Sequence, residues 1–532
     1  MEGGFLKKED IMEIKKKNVH MNHFVTDKHM QITLEDDFLI LESEMDMDYI
    51  IASQGEIKIE SVKAQNGKVF LKGKLNVQGL YGNNEAGGRM VPINSEIAFE
   101  DSLNVDEMKE GDRIHLETSI EDLGIEIINS RKYNLRAILD FSIQVERLFD
   151  AQICEDIQTE NRIERQMENL ELIGLKMDKK DIFRIKEEIV IAQNKPNIGT
   201  LLWKQISLNG LDMRIKENKI EIDGMVNLFF MYRPVEENAP IQWMENQIPI
   251  KGNLEVEGCS EDMVSDISAE LAQNDINVKT DEDGEARILV LDASIDFRIR
   301  LYKEENISRL KDVYSTKSNL KLSYEPVEFL QLQIKNESKC KIEEKIQVEE
   351  EKGKILQICN SQGSVKIDET NMVEEGIEVE GILQIRMVYI RDSAERPLRS
   401  EVFQIPFTYL IETSTIEKNT HFEVKSCFES LQTILNGDRE VLIKAMITFD
   451  TLVLKVKNEA MIQSIEEEAL KNEELEQIPG IVGYLVRDGD SLWKIAKENY
   501  TTVEKIKEIN ELSSDDAKAG DMIILLKQAK EI

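Results

Sequence analysis

One short pattern recurs three times along the chain at a spacing longer than solenoid repeats use, and it restricts the fold to tandem copies of one unit. A glycine is followed eight residues later by a tyrosine in Gly73-Lys-Leu75-Asn-Val77-Gln-Gly-Leu80-Tyr81, Gly224-Met-Val226-Asn-Leu228-Phe-Phe-Met231-Tyr232 and Gly381-Ile-Leu383-Gln-Ile385-Arg-Met-Val388-Tyr389. Other landmarks keep their offsets. Thirty-five residues before each glycine an apolar residue opens a strand-like run, at Phe38, Ile189 and Ile346. After each tyrosine stands an apolar-Pro-apolar triplet: Val91-Pro92-Ile93, Ile248-Pro249-Ile250 and Ile405-Pro406-Phe407. Each unit closes on an arginine, an alanine six later and a phenylalanine ten later, at Arg131/Ala137/Phe141, Arg287/Ala293/Phe297 and Arg439/Ala445/Phe449. Ser53-Gln54-Gly55 matches Ser361-Gln362-Gly363, and the second copy lacks this motif.

Around these positions Val, Ile, Leu and Phe alternate with Lys, Asn, Gln and Glu, the period-2 pattern of half-buried antiparallel strands. The expected fold is mainly β: three β-rich units, each a sandwich or partly open barrel, followed by a small α+β module. The repeated glycine is expected where a strand bends or another backbone approaches closely. The tyrosine reads as a buried ring with its hydroxyl paired. Segments around 150–170 and 305–340 are polar and helix-compatible, which places the unit boundaries there. The expected division is an N-terminal segment 1–27, units at 28–150, 165–305 and 335–460, an acidic linker 461–480 and a module at 481–527. Within the linker, the run from Ile465 to Glu476 reads as a connection or short exposed helix ended by Pro479-Gly480.

Composition narrows the function. A chain of 532 residues with 41% hydrophobic and 32% charged residues can bury several cores. Its formal charge of -36 repels phosphate backbones and anionic lipid surfaces. The one basic cluster, Lys15-Lys16-Lys17, lies beside Glu9, Asp10 and Glu13. Nucleic acid is therefore not an expected partner. The first residues lack an apolar run, and no stretch reaches the roughly 18 apolar residues of a membrane helix, so a cytosolic protein without membrane insertion is expected. The five cysteines (Cys154, Cys259, Cys340, Cys359, Cys427) are scattered without C-x-x-C spacing, which signals neither a disulfide framework nor a zinc site.

From Tyr484 onward a strand-helix-helix-strand pattern appears. Asp490 or Ser491 can cap a helix carrying Leu492, Trp493, Ile495 and Ala496, and Thr502 can cap a second with Val503, Ile506 and Ile509 on one face. This stretch resembles the LysM domain, whose Y-x-V-x-x-G-D-x-L-W-x-I-A core is matched by Tyr484, Val486, Gly489, Asp490, Leu492, Trp493, Ile495 and Ala496. Asn510, Leu512, Gly520 and Asp521 fit the rest. The turn after Tyr500 is one residue short, and Leu525 or Leu526 stands where the family usually ends in proline. LysM domains typically hold N-acetylglucosamine polymers in a shallow groove, which the resemblance places at Gly489, Asp490, Ser491, Leu492, Asn510, Leu512 and Met522. Leu492, Trp493, Ile495 and Ile509 also read as core of so small a domain.

Repeats and LysM together resemble clostridial spore-coat morphogenetic proteins of the SipL type, in which SPOCS repeats precede one LysM domain. That resemblance implies a mother-cell cytoplasmic protein at the forespore surface. Its implied partners are the coat-basement morphogenetic ATPase and other coat proteins; the alternative is a peptidoglycan-binding protein that holds an N-acetylglucosamine-containing glycan and is tethered to the spore cortex or cell wall.

Enzymatic readings are weaker. Gly489-Asp490-Ser491-Leu492 spells a hydrolase signature, but a nucleophilic serine needs a base, and no histidine follows His421. His20, His23 and His29 lack a neighbouring cysteine or a fixed scaffold for a metal. No phosphate-binding loop or H-E-x-x-H helix is present. The expectation is a non-enzymatic protein without a cofactor.

Overall fold

The computed structural model describes residues 12–65, 67–84, 89–159, 161–236, 239–393, 396–413, 420–469, 480–515 and 517–526. Each repeat is six strands in two antiparallel three-stranded sheets. The first comprises β1 (Glu13–Leu39), β2 (Tyr49–Gln65), β3 (Lys68–Gly82), β4 (Met90–Asn104), β5 (Arg113–Asn129) and β6 (Lys132–Gln158), ordered β1-β6-β5 and β2-β3-β4. The second comprises β7 (Ile163–Val190), β8 (Ile198–Lys216), β9 (Lys219–Pro234), β10 (Gln242–Glu255), β11 (Val264–Thr280) and β12 (Ala286–Ser315), ordered β7-β12-β11 and β8-β9-β10. The third comprises β13 (Ser318–Gln347), β14 (Ile355–Val373), β15 (Gly376–Arg391), β16 (Leu398–Glu412), β17 (Thr420–Asn436) and β18 (Glu440–Ala469), ordered β13-β18-β17 and β14-β15-β16. The two inner faces of each pair enclose a separate apolar core, as the alternation requires.

The glycine, tyrosine and closing arginine take the same positions in each copy. Tyr81, Tyr232 and Tyr389 are fully buried. Their hydroxyls donate to Met45 O (2.9 Å), Pro196 O (3.0 Å) and Glu401 Oε2 (3.2 Å). Arg131 donates to Leu41 O and Glu44 O, and Arg287 to Ile191 O, Ala192 O and Lys195 O. In these two copies the arginine and tyrosine thus pin the loop that joins the sheets. The repeated glycine gives room to a neighbour: a Cβ on Gly73 would lie 2.6 Å from Lys58 O and 2.7 Å from the Phe99 ring, and one on Gly381 would meet Lys366 O and the Phe407 ring. At Gly224 the nearest atom is the end of the Leu211 side chain, at 2.9 Å. Gly73→Ala and Gly381→Ala are therefore expected to cost about 1–3 kcal/mol each by overpacking, and Gly224→Ala less. Midpoints of thermal unfolding for the three variants check this order.

One expectation fails on register. Gly224 pairs with Ile250 and Gly381 with Phe407, but Gly73 pairs with Phe99. The structural counterpart of Ile248-Pro249-Ile250 is therefore Ile97-Ala98-Phe99, and Val91-Pro92-Ile93 sits six residues away along the same edge strand. All three prolines lie on edge strands, the place in a sheet where an N–H can face outward and be lost without removing a ladder bond. The motif missing from the second copy is replaced in place: Ile206 pairs with Leu228 as Gly55 pairs with Val77 and Gly363 with Ile385. Gly55 and Gly363 let Ile120 and Phe428 close over them from the facing sheet.

The segments read as helix-compatible boundaries are strands. Residues 150–158 and 163–170 belong to β6 and β7, and 305–315 and 318–340 to β12 and β13. Residues 13–27, read as an N-terminal segment, are part of β1, and 461–469 continue β18; residues 470–479 lie outside the described residues. The six long strands, of 27 to 30 residues, run beyond their sandwiches as three antiparallel pairs, β1-β6, β7-β12 and β13-β18. A register shift recurs where each pair leaves its sandwich, at Phe24/Thr26, Leu301/Tyr302 and Leu332/Ile334, and such bulges bend and twist a strand. Beyond them the pairs share apolar clusters that include Val19, Ile153, Leu172, Ile307, Phe329 and Met461, forming one stalk.

At the other end the three β2-, β8- and β14-type sheets meet in an apolar cluster with Ile51, Leu80, Trp203, Met231, Cys359 and Val388. Polar seams flank it: Gln54 Nε2 donates to Lys204 O (2.8 Å), Asn360 Nδ2 to Gln205 Oε1 (2.9 Å), and Arg386 to Ser53 O. Every pair of repeats is thus joined, and the three close a pseudo-threefold ring around a solvent-open chamber of ≈ 3570 Å³.

Candidate functional site: the C-terminal groove

The module comprises β19 (Ile481–Leu485), α1 (Leu492–Glu498), α2 (Val503–Asn510) and β20 (Met522–Leu526). The local sequence dictates both helix starts: Ser491 Oγ accepts from Lys494 N and Thr502 Oγ1 from Lys505 N, each 3.2 Å. Val486, Leu492, Ile495, Ala496, Ile506, Ile523 and Leu525 form the core. Gly489 and Gly520 adopt φ of 84° and 96°, a backbone that L side chains rarely take, and each shapes a turn beside the groove.

The structure brings the proposed groove residues to one end of the module but divides their roles. Gly489 and Ser491 are exposed, and Met522 is 67% exposed. Leu492, at 1% exposure, is core, and Leu512 packs against that core. Asp490 is committed internally: its carboxylate accepts from Tyr484 Oη (2.9 Å), Arg487 N (3.0 Å) and Lys494 Nζ (3.3 Å). The Arg487 N–H and then the Tyr484 hydroxyl hold its carboxyl below the usual carboxylate range. Asn510 is equally committed, since Nδ2 donates to Ile506 O and Ile524 O (2.8 Å each) and Oδ1 accepts from Ile524 N (2.7 Å). It welds α2 to β20.

Two features escaped the sequence. Alternation along β19 and β20 places Ile481, Leu485, Met522 and Ile524 outward, at 69%, 56%, 67% and 45% exposure, an apolar strip that includes Met522 of the expected groove. Trp493, read as core, is only partly buried and turns to the stalk. Its ring meets Tyr314 edge-on (centroids 4.8 Å apart) and its Nε1 donates to Asp312 (2.8 Å). Asp312 and Tyr314 lie so far off in sequence that no local signal marks them.

Ser491 spends its hydroxyl as a helix cap, which suits structure rather than nucleophilic attack. His20 pairs with Asp150, His23 with Glu328 and His29 with Asp27. Among the described residues no group of three or more His, Cys, Asp or Glu could hold a metal, and no helix is long and apolar enough to cross a membrane.

A family model described as SipL, SPOCS domain, matches residues 46–128, 197–279 and 354–436, and a LysM domain model matches 484–525. Each SPOCS match spans the four inner strands of one repeat, β2–β5, β8–β11 and β14–β17, and leaves out the long stalk strands. Neither family is enzymatic. No curated protein and no solved structure matches the chain. Three SPOCS domains ahead of one C-terminal LysM domain, a module of the peptidoglycan-binding kind, make this chain a sporulation-associated protein of the SipL type.

Proposed function

We propose that the chain is a non-enzymatic scaffold of spore-coat assembly. In this reading it acts in the mother-cell cytoplasm at the forespore surface, its LysM domain docks onto the coat-basement morphogenetic ATPase, and its β surfaces engage other coat proteins. One observation carries the choice of a protein ligand over N-acetylglucosamine polymers. The two groove side chains best suited to bind sugar, Asp490 and Asn510, are consumed by the domain itself, while four apolar side chains stand exposed on β19 and β20. A carbohydrate is recognised by placed hydrogen-bonding groups; an exposed apolar strip with a polar rim matches the make-up of a protein interface core.

Asp490 and Asn510 are poor probes, because removing either breaks the module's own bonds. Met522 is the better one. In co-purification of the full chain with the ATPase, Met522→Glu is expected to reduce binding at least tenfold while leaving the unfolding midpoint unchanged, as befits an apolar contact replaced by a charge. Sedimentation of the same proteins with insoluble peptidoglycan is expected to show little association. Co-sedimentation of the wild type without ATPase binding would move the protein to the rival class, a tether to the cortex or wall.

A further inference from the structure

We infer that the LysM domain is not a tethered bead but a fixed cap on the stalk, and that Asp312 and Tyr314 of β12 are the positioning residues that set where its groove points. The contact joins residues about 180 positions apart and has three parts. Trp493 and Lys497, one turn apart on the same face of α1, both reach Asp312: the indole Nε1 at 2.8 Å and the Lys497 ammonium at 2.6 and 2.8 Å from its two oxygens. Tyr314 donates to Thr501 O at 2.9 Å. Tyr314, only 3% exposed, packs within the same apolar cluster as Val486, Leu492, Ile495 and Ile506, so the core of the module is continuous with the stalk tip.

The seam is chemically specific. The Trp493 N–H needs an acceptor once its ring is covered, and an ionised carboxylate that also takes the Lys497 ammonium provides the stronger, charge-assisted kind. Burial pushes the Tyr314 phenol well above its ordinary range, with the Glu164, Glu504 and Asp312 carboxylates adding to the shift, so it stays a hydroxyl donor at any physiological pH. Gly489, Ser491 and Met522 remain exposed while Trp493 and Lys497 contact the stalk. The stalk therefore presents the groove instead of hiding it, and its bearing relative to the ring is fixed.

The test needs no ligand and is independent of the functional reading above. The chain contains three tryptophans, Trp203, Trp243 and Trp493, so fluorine NMR of the full chain labelled with 5-fluorotryptophan reports the cap and the ring separately. In the wild type the Trp493 resonance is expected to be as broad as that of Trp203. Asp312→Ala is expected to shift and narrow the Trp493 line severalfold while leaving Trp203 in place. Asp312→Asn, which keeps an acceptor for the indole, is expected to retain much of the width. Lys497→Met approaches the seam from the module side, should narrow the line in the same selective way, and keeps the test decisive if Asp312→Ala disturbs the stalk. A Trp493 line already narrow in the wild type, or unmoved by both variants, overturns the inference.

Discussion

Arg300→Ala is expected to destabilise the body by about 3–5 kcal/mol, because it strands buried carboxylates from all three repeats. Arg300 lies where the sandwiches pass into the stalk, with its side chain 3% exposed. Its guanidinium pairs with Glu146 of the first repeat, Asp266 of the second and Glu423 of the third, the last at 2.8 Å. Arg298 adds a second contact to Glu146 at 3.2 Å, and Lys425 pairs with Asp266. The pseudo-threefold counterparts of Arg300, three residues after each landmark phenylalanine, are Gln144 and Leu452, so the cation that touches carboxylates of all three repeats comes from the second repeat alone. Burial of Arg300 opposes its charge, but the surrounding carboxylates, Asp266 foremost, outweigh it and hold the guanidinium more firmly protonated than usual. Glu423 shows the complement: burial would raise its carboxyl, yet the hydrogen bond from His421 and the charges of Arg300 and Lys425 bring it well below the usual range. A carboxyl lowered on folding stabilises the fold above its unfolded pKa, about 4.3, and that contribution drains away as pH falls through the folded value. The wild type should therefore lose this advantage on acidification. The stability gap to Arg300→Ala, wide at pH 7, should close as pH falls below about 4. Thermal unfolding of both proteins across pH measures the gap; a gap independent of pH would locate the cost in lost packing instead.

The stalk also shows why the sequence reached the sandwiches but not their joining. The landmarks were legible because each acts over a short distance: a glycine makes room for the next strand, and a tyrosine pairs with a nearby loop. The long strands were misread because their alternation changes phase. In β7, Leu170 and Leu172 face the apolar interior, and then Ile173 and Leu175 do, so a period-2 count across the segment cancels and leaves only its charge visible. The displaced proline triplet of the first copy shows the opposite error, a motif with the right composition at the wrong register. In the groove, the turn glycines and caps were readable from local rules, whereas the commitment of Asn510 to Ile524 depends on how α2 meets β20. Trp493 carried no sign of its partners because Asp312 and Tyr314 lie outside the module, in the second repeat.

Trp203→Ala is expected to cost about 3–5 kcal/mol at the opposite end of the chamber, and its remedy should lie in a different repeat. Trp203 is 1% exposed in the cluster where the three sheets meet. It pairs with Met231 just as Ala52 pairs with Leu80 and Asn360 with Val388, and each of those partners stands seven residues after its repeat's landmark glycine. Three equivalent positions thus converge on one space, filled by one large ring, one methyl group and one amide. The ring acts through its volume alone, since its Nε1 has no hydrogen-bond partner among the described residues, and Trp203→Phe should therefore be much milder than Trp203→Ala. Ala52→Trp in the native background adds a second ring to a filled site and should also destabilise, through overpacking. Combined, the two changes restore one ring to the shared space from the neighbouring repeat. The double variant Trp203→Ala/Ala52→Trp is expected to recover part of the lost stability, a non-additivity of the kind that residues in contact or sharing one cavity show. Strictly additive unfolding midpoints for the two substitutions would mean that the positions do not share the space, and that the ring of repeats is closed by its polar seams alone.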